Sequence, residues 1–108
     1  RKIDFPSRYG GDEILILFPQ ANASEAEGII NRLLQGIREL RIPVPFSSSK
    51  EIGVTVSVGL ASYPQDGLLL TELIHKADEA LYWVKSSVRN QVATYQNYSQ
   101  RKESPIEP

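Results

Sequence analysis

A chain of 108 residues holds one small domain, which buries about two-thirds of the surface its unfolded form exposes, so its core is modest. Its 12 basic and 13 acidic residues nearly cancel, which leaves no global field to draw it to a nucleic-acid polymer or an anionic membrane; phosphate binding has to be local. The absence of cysteine excludes disulfides, thiolate metal sites and cysteine nucleophiles, and fits a reducing, cytoplasmic setting. No apolar run approaches the ~20 residues of a membrane span, and the N-terminus lacks a signal-peptide pattern. The segment reads as soluble, without membrane contact of its own. It opens on Arg1 rather than methionine, which reads as a fragment of a longer protein.

Phe5 to Arg8 and Ile14 to Phe18 are strand candidates, separated by Tyr9-Gly10-Gly11-Asp12-Glu13. The paired glycines are expected to supply the positive φ angles of a tight hairpin. The second strand is apolar at every position and reads as central, covered on both faces. Ser24 and Glu27 offer a capping box for a helix over 25–41, with Ala26, Ile30, Leu33, Ile37 and Leu40 as its apolar stripe. Pro43-Val44-Pro45 and Ser47-Ser48-Ser49 form a loop. From Ile52 to Ala61 the residues alternate with period two, one set small enough to suggest close packing on that face. A second amphipathic helix spans 70–87 through Leu73, Ala77, Ala80 and Val84, and 91–95 adds a short edge strand. Residues 96–108 are too poor in apolar side chains to order themselves and read as a flexible C-terminal tail, leaving 1–95 as the domain. The expected fold is an α/β (α+β) sandwich in ββαβα(β) order, with helices on one face of a mostly antiparallel sheet. The strand Ile14 to Phe18 is then short of neighbours, so a strand and helix before Arg1, or a partner chain, are expected to complete the sheet.

The glycines leave the hairpin backbone open to phosphate oxygens, and free consecutive N–H groups would suit them. Asp12 and Glu13 sit beside that tip. Adjacent carboxylates near a phosphate site make sense with Mg²⁺ (or Mn²⁺) between them, which offsets their repulsion. A bare Gly-Gly-Asp-Glu is more readily an ordinary solvated turn, so the context decides.

That context is Arg8-Tyr9-Gly10-Gly11-Asp12-Glu13-Ile14, then Val56-Ser57-Val58-Gly59-Leu60-Ala61, then Ala77-Asp78-Glu79-Ala80-Leu81-Tyr82-Trp83-Val84-Lys85 with Arg89-Asn90. In order and spacing these motifs resemble the GGDEF family of diguanylate cyclases, over nearly all of the chain up to Asn90. The resemblance implies the C-terminal part of a ferredoxin-like nucleotidyl cyclase fold. It further implies a parent that condenses two GTP molecules into cyclic di-GMP with loss of pyrophosphate, as a homodimer in bacterial signalling.

Residue by residue, the resemblance implies that Gly10 and Gly11 admit the α- and β-phosphates and that Lys85 and Arg89, one helical turn apart, reach the terminal phosphates. Composition alone would leave both cations as solvated surface charges. Asp12 and Glu13 are the implied catalytic and metal-site carboxylates. Arg1 and Asp4 match the family's RxxD inhibitory motif at the right offset from the glycines, and Arg32 stands where some members add an arginine, giving an inhibitory cyclic di-GMP site; taken alone, Arg1 and Asp4 are equally an ordinary surface pair. Ile14 replaces a usual phenylalanine, and Val88 stands where a glycine usually precedes Arg89-Asn90. The family's N-terminal half, with another metal-binding aspartate and the guanine-recognising residues, is not in this sequence, so the 108 residues alone are expected to be inactive. A catalytically silent cyclic di-GMP receptor is the alternative, and a structural dimerisation domain a third reading. His75, the only histidine, has no second histidine or cysteine for a metal site and reads as surface. The parent is expected in the cytoplasm, free or tethered to a membrane sensor.

Overall fold

The period-two run ending at Leu60 and the second amphipathic helix meet to make the firmest part of the fold. The computed structural model describes residues 4–46 and 49–103. Its elements are β1 (Phe5–Arg8), β2 (Ile14–Leu17), α1 (Ala23–Glu39), β3 (Ile42–Pro43), β4 (Glu51–Ile52), β5 (Val58–Leu60), α2 (Leu70–Ser87), β6 (Val92–Thr94) and α3 (Tyr95–Glu103). This is a mixed α/β architecture in the expected order, with β3, β4 and α3 added to it.

β5 and β6 run parallel, with Val58, Gly59 and Leu60 opposite Val92, Ala93 and Thr94. A parallel pair needs a crossover, and α2 supplies it. Ala80 and Val84 of α2 and Ala93 of β6 form a buried cluster, against which Trp83 and Tyr98 pack. The small alternating set permits this approach: a Cβ on Gly59 would meet the Ala77 carbonyl oxygen and stand 2.6 Å from the Leu81 nitrogen. α1 adds Ala26, Ile30 and Leu34 to the buried residues. The expected stripe is therefore corrected to Ala26, Ile30 and Leu34, since Leu33 is 44 % exposed and turns with Ile37 toward a cleft instead.

Local chemistry sets the helix ends. α1 starts earlier than the expected box, because Asn22 rather than Ser24 is the cap. The Glu25 N–H donates to Asn22 Oδ1 at 2.8 Å and the Asn22 N–H to Glu25 Oε1 at 3.0 Å, the same spacing of partners that Ser24 and Glu27 offered. α1 stops at Glu39; Arg41 donates to the Arg38 and Leu40 carbonyls at 3.0 and 2.8 Å, satisfying acceptors that no further turn would reach. At the start of α2 the Glu72 carboxylate accepts the Leu68 and Leu69 N–H groups at 2.9 and 3.2 Å. Those bonds hold its pKa below 4.5.

Four expectations need correction. Ile14–Leu17 is not covered on both faces: Ile14 is 71 % exposed, and among the described residues the strand pairs only with β1, antiparallel, from Phe5↔Leu17 to Arg8↔Ile14. The long strand from Ile52 to Ala61 is two short ones, β4 and β5, because the residues between them find no neighbouring strand among the described residues. Pro43 belongs to no plain loop but to β3, antiparallel to β4 through Ile42↔Ile52 and Pro43↔Glu51; an edge position suits a residue without an N–H. Finally, residues 95–103 are helical. Aromatic rings supply what the aliphatic count lacked: Tyr98 lies 5.8 Å from both Trp83 and Tyr95, with Arg101 over Trp83 at 5.8 Å and Lys76 over Tyr95 at 5.2 Å. The rest of the expected tail, residues 104–108, lies outside the described residues.

Among the described residues no helix is long and apolar enough to cross a membrane. Gly59→Ala is expected to cost about 3 kcal/mol, because backbone rather than a movable side chain opposes the new methyl; thermal unfolding reads it. Glu72 gives a pH signature. Its folded pKa is depressed, so the ionised carboxylate adds stability above the ordinary value of 4.5, and that contribution disappears as pH falls through the folded pKa. The melting-temperature gap between the unsubstituted protein and Glu72→Gln should be present near neutrality and close under acid conditions.

Candidate functional site

The β1–β2 register leaves Tyr9 to Glu13 as the hairpin tip. The Tyr9 and Gly10 N–H groups both donate to the Glu13 carbonyl, at 2.9 and 3.2 Å. Arg8 folds back over the tip, its Nε donating to the Gly10 carbonyl at 3.3 Å and its guanidinium NH2 to the Gly11 carbonyl at 2.8 Å. Two expectations change here. No glycine among the described residues has a positive φ, so Gly10 and Gly11 are not needed to bend the turn, and the Gly10 N–H is already used in closing it. What the glycines contribute is bareness. A Cβ on Gly11 would find nothing within 4 Å, and one on Gly10 only the Glu13 side chain at 3.7 Å.

Asp12 is exposed and Glu13 half-buried at this tip. Glu13 Oε2 reaches Lys85 Nζ of α2 at 3.5 Å, a contact across 72 sequence positions that ties the hairpin to the end of the helix. Both side chains are about one-third exposed, 36 % and 34 %, so water weakens the pair. Lys85 and Arg89 are not successive helical neighbours, because α2 ends at Ser87. Val88, with φ −115°, remains right-handed; a β-branched side chain strongly disfavours the left-handed region where a glycine would sit. Left-handed backbone falls on Arg89 and Asn90, at φ 55° and 56°, and costs about 1 kcal/mol or more at the arginine.

That bend is held from two sides. Arg38, half-buried in the last turn of α1, donates Nε to Asn90 Oδ1 at 2.9 Å and NH2 to the Asn90 carbonyl at 2.7 Å. The Asn90 N–H donates to Ser57 Oγ at 3.0 Å.

Asp12, Glu13, Asp78, Lys85 and Arg89 line one cleft of about 1020 Å³ between β2, α1, β5 and α2. Its apolar walls include Ile16, Leu33, Ile37, Leu73 and Leu81, the parts of both helical stripes that the core leaves uncovered. The cleft therefore joins an apolar slot to a cluster of both charge signs, an arrangement that suits a phosphorylated ligand with a hard cation. Among the described residues no group of three or more His, Cys, Asp or Glu side chains is placed to hold a metal. The adjacent carboxylates of Asp12 and Glu13 fit a cation of the magnesium type, which takes one or two protein carboxylates and completes its octahedron with phosphate oxygens and water.

Asp4 is half-buried just before β1, Arg32 is exposed on α1, and Arg1 lies outside the described residues. His75 is on the surface, 76 % exposed in its side chain and 3.5 Å from Glu79. Sequence reasoning quotes Arg8 and Ser57 within motifs without giving either a role, and it misses Arg38. Arg8 could be found from its place at the base of the hairpin; the contacts of Arg38 and Ser57 act across the fold. Arg8→Ala should loosen the tip at a cost of about 1 kcal/mol, seen as faster amide exchange at Tyr9 and Gly10 while the α2 amides keep their protection.

Comparison with known proteins places these features in a family. The family described as diguanylate cyclase, GGDEF domain, matches residues 1–91. Diguanylate cyclase A of Treponema denticola is 33 % identical over 97 residues, which are 90 % of this chain and 25 % of that protein. The response regulator PleD of Caulobacter vibrioides is 32 % identical over 93 residues, 85 % of this chain and 20 % of that one. The chain thus spans a quarter or less of the length of these curated relatives. Among solved structures, the GGDEF-only form of TpbB from Pseudomonas aeruginosa superposes with a TM-score of 0.81 at 25 % identity, covering 97 % of this chain and 60 % of that one. The GGDEF domain of DgcB from Caulobacter crescentus, solved with cyclic di-GMP, gives 0.77 at 26 % identity, covering 89 % and 56 %.

Proposed function

This chain belongs to the diguanylate cyclase GGDEF-domain family, and on that premise we propose that the whole protein condenses two GTP molecules into cyclic di-GMP in the cytoplasm. In that reaction each 3′-hydroxyl attacks the α-phosphorus of the other GTP, two phosphodiester bonds form and two pyrophosphates leave. Two such domains face one another, each presenting one bound GTP. The observation that carries the reading is the meeting of Asp12, Glu13, Lys85 and Arg89 around one cleft, with Glu13 and Lys85 only 3.5 Å apart.

The residues divide the work by position and charge. The bare backbone at Gly10 and Gly11 lets the α- and β-phosphates approach without Cβ obstruction. Lys85 and Arg89 hold the terminal phosphates, Lys85 as a point charge and Arg89 through its planar fork. Lys85 can exchange Glu13 for phosphate because a half-exposed carboxylate pair is weak and a phosphate group offers more charge and more acceptors. Asp12 and Glu13 would hold Mg²⁺ or Mn²⁺, and Asp12 would assist deprotonation of the attacking hydroxyl, a reading supported by the motif resemblance. The bound cation supplies charge neutralisation at the transferring phosphate. Positioning does the rest. Arg1 and Asp4, with Arg32, form a separate product site, a reading supported by the RxxD spacing and by similarity to a domain solved with cyclic di-GMP.

The test is conversion of GTP to cyclic di-GMP by the full-length protein with Mg²⁺ or Mn²⁺, followed chromatographically. Asp12→Asn is expected to lower kcat about a hundredfold or more. An active Asp12→Asn variant would remove Asp12 from its role; an inactive unsubstituted protein that still binds cyclic di-GMP would make the domain a receptor. Arg1→Ala should raise the cyclic di-GMP concentration needed for half-inhibition about tenfold or more. The 108 residues by themselves should form no product, since the further metal-binding aspartate and the guanine-recognising residues that the family resemblance implies are not among them.

A further inference from the structure

The turn that carries Arg89 into the cleft is held in an unfavoured backbone region by a residue from elsewhere in the chain. Arg89 and Asn90 both have φ near 55°, the left-handed region that an arginine rarely adopts. Local bonds do not account for it: the Arg89 N–H closes onto the Val84 carbonyl at 2.8 Å, which ends the helix but leaves the conformation of Asn90 unfixed. The fixing contacts come from a distance. Arg38 grips Asn90 at both its side-chain oxygen and its carbonyl, 2.9 and 2.7 Å away, and Ser57 takes the Asn90 N–H. The Gln91 carbonyl then accepts the Val58 N–H at 2.9 Å, where β6 joins β5.

We infer that Arg38 is a positioning residue: its two-pronged grip on Asn90 holds the left-handed turn and so aims Arg89 at the terminal phosphates of the nucleotide. The inference rests on the cyclase reading above for the identity of that ligand. The fork geometry matters, because two donors in one plane meet two acceptors of one residue. A lysine keeps the charge but cannot hold both acceptors in that geometry. Arg38 itself need never touch the nucleotide. The half-buried setting of the contact keeps water from competing fully with it, and the bond to a charged donor is among the stronger kinds.

The experiment uses the full-length protein with Arg38→Ala, Arg38→Lys, Arg89→Ala and the double variant Arg38→Ala/Arg89→Ala. Amide exchange at Arg89 and Asn90 reads the turn, and KM and kcat for GTP read its consequence. Arg38→Ala is expected to speed exchange at the turn and raise KM for GTP about tenfold with kcat changed less than about threefold, and Arg38→Lys should fall between it and the unsubstituted protein. The double variant should be no worse than Arg89→Ala, because the grip acts only through Arg89. Unchanged exchange at Arg89 and Asn90 overturns the grip, whatever the activity. Faster exchange with an unaltered KM, or additive losses in the double variant, overturns the positioning role. If Arg38→Ala does not fold, Arg38→Lys answers the same questions. Absence of GTP turnover in the unsubstituted protein counts against the cyclase reading instead, and exchange at the turn still decides whether Arg38 holds it.

Discussion

The close contact of β5 with α2 is the constraint on which the rest of the structure depends. Because residue 59 has no side chain, the strand lies against the helix backbone near Ala77 and Leu81, and this proximity lets α2 act as the crossover between β5 and β6. Ala80, Val84 and Ala93 fill the small space that remains. Small residues make the contact possible, and the gain is spread over many weak dispersion contacts instead of one large side chain. α3 extends the same packing outward through Trp83 and Tyr98. The end of α2, with Lys85 and the turn at Arg89, takes its place from this unit.

The hairpin is attached differently. Among the described residues β1 and β2 pair only with one another, and Glu13 with Lys85 joins the tip to α2 through a half-exposed ion pair. Between the two units lies the cleft, lined by the apolar faces that neither unit covers. A strand edge on β2 and another on β5 face it without partners among the described residues, which explains why so apolar a strand as Ile14–Leu17 stays partly exposed. The same openness gives ligands a route to the charged group. A site made of a bare turn on one side and a helix end on the other needs both units held at a fixed distance, and its chemistry depends on what keeps them there.

Much of the fold is legible in the sequence where a residue's neighbours along the chain are also its neighbours in space. The span of α2, Leu70–Ser87, follows from an apolar stripe of helical period. β2 follows from a short apolar run after the Gly-Gly turn, and β1 from its place as the hairpin partner before it. Asp12, Glu13, Lys85 and Arg89 come from motif resemblance, and the fold brings them to one cleft. The failures have physical causes. Asn22 and Ser24 both sit three residues before a glutamate, and only the chain path after Pro19 chooses between them as the cap. α3 escapes a sequence reading because its stability comes from ring contacts with α2, which an aliphatic count does not register. At the hairpin tip a bare backbone and a left-handed one require the same residue, so glycine alone does not say which of the two is in use.

The sequence by itself determined the family, the order of the principal elements and the identity of the charged residues, because periodicity, capping and motif spacing are local properties of the chain. Tertiary structure alone decided that the left-handed bend falls on Arg89 and Asn90, that Arg38 from α1 and Ser57 from the approach to β5 hold it, and that Lys85 rests against Glu13. Each of these contacts joins groups separated by 33 to 72 positions. Contacts over such distances depend on how the helices and strands pack, and that is set by excluded volume at places such as Gly59, where a single added carbon would meet the α2 backbone.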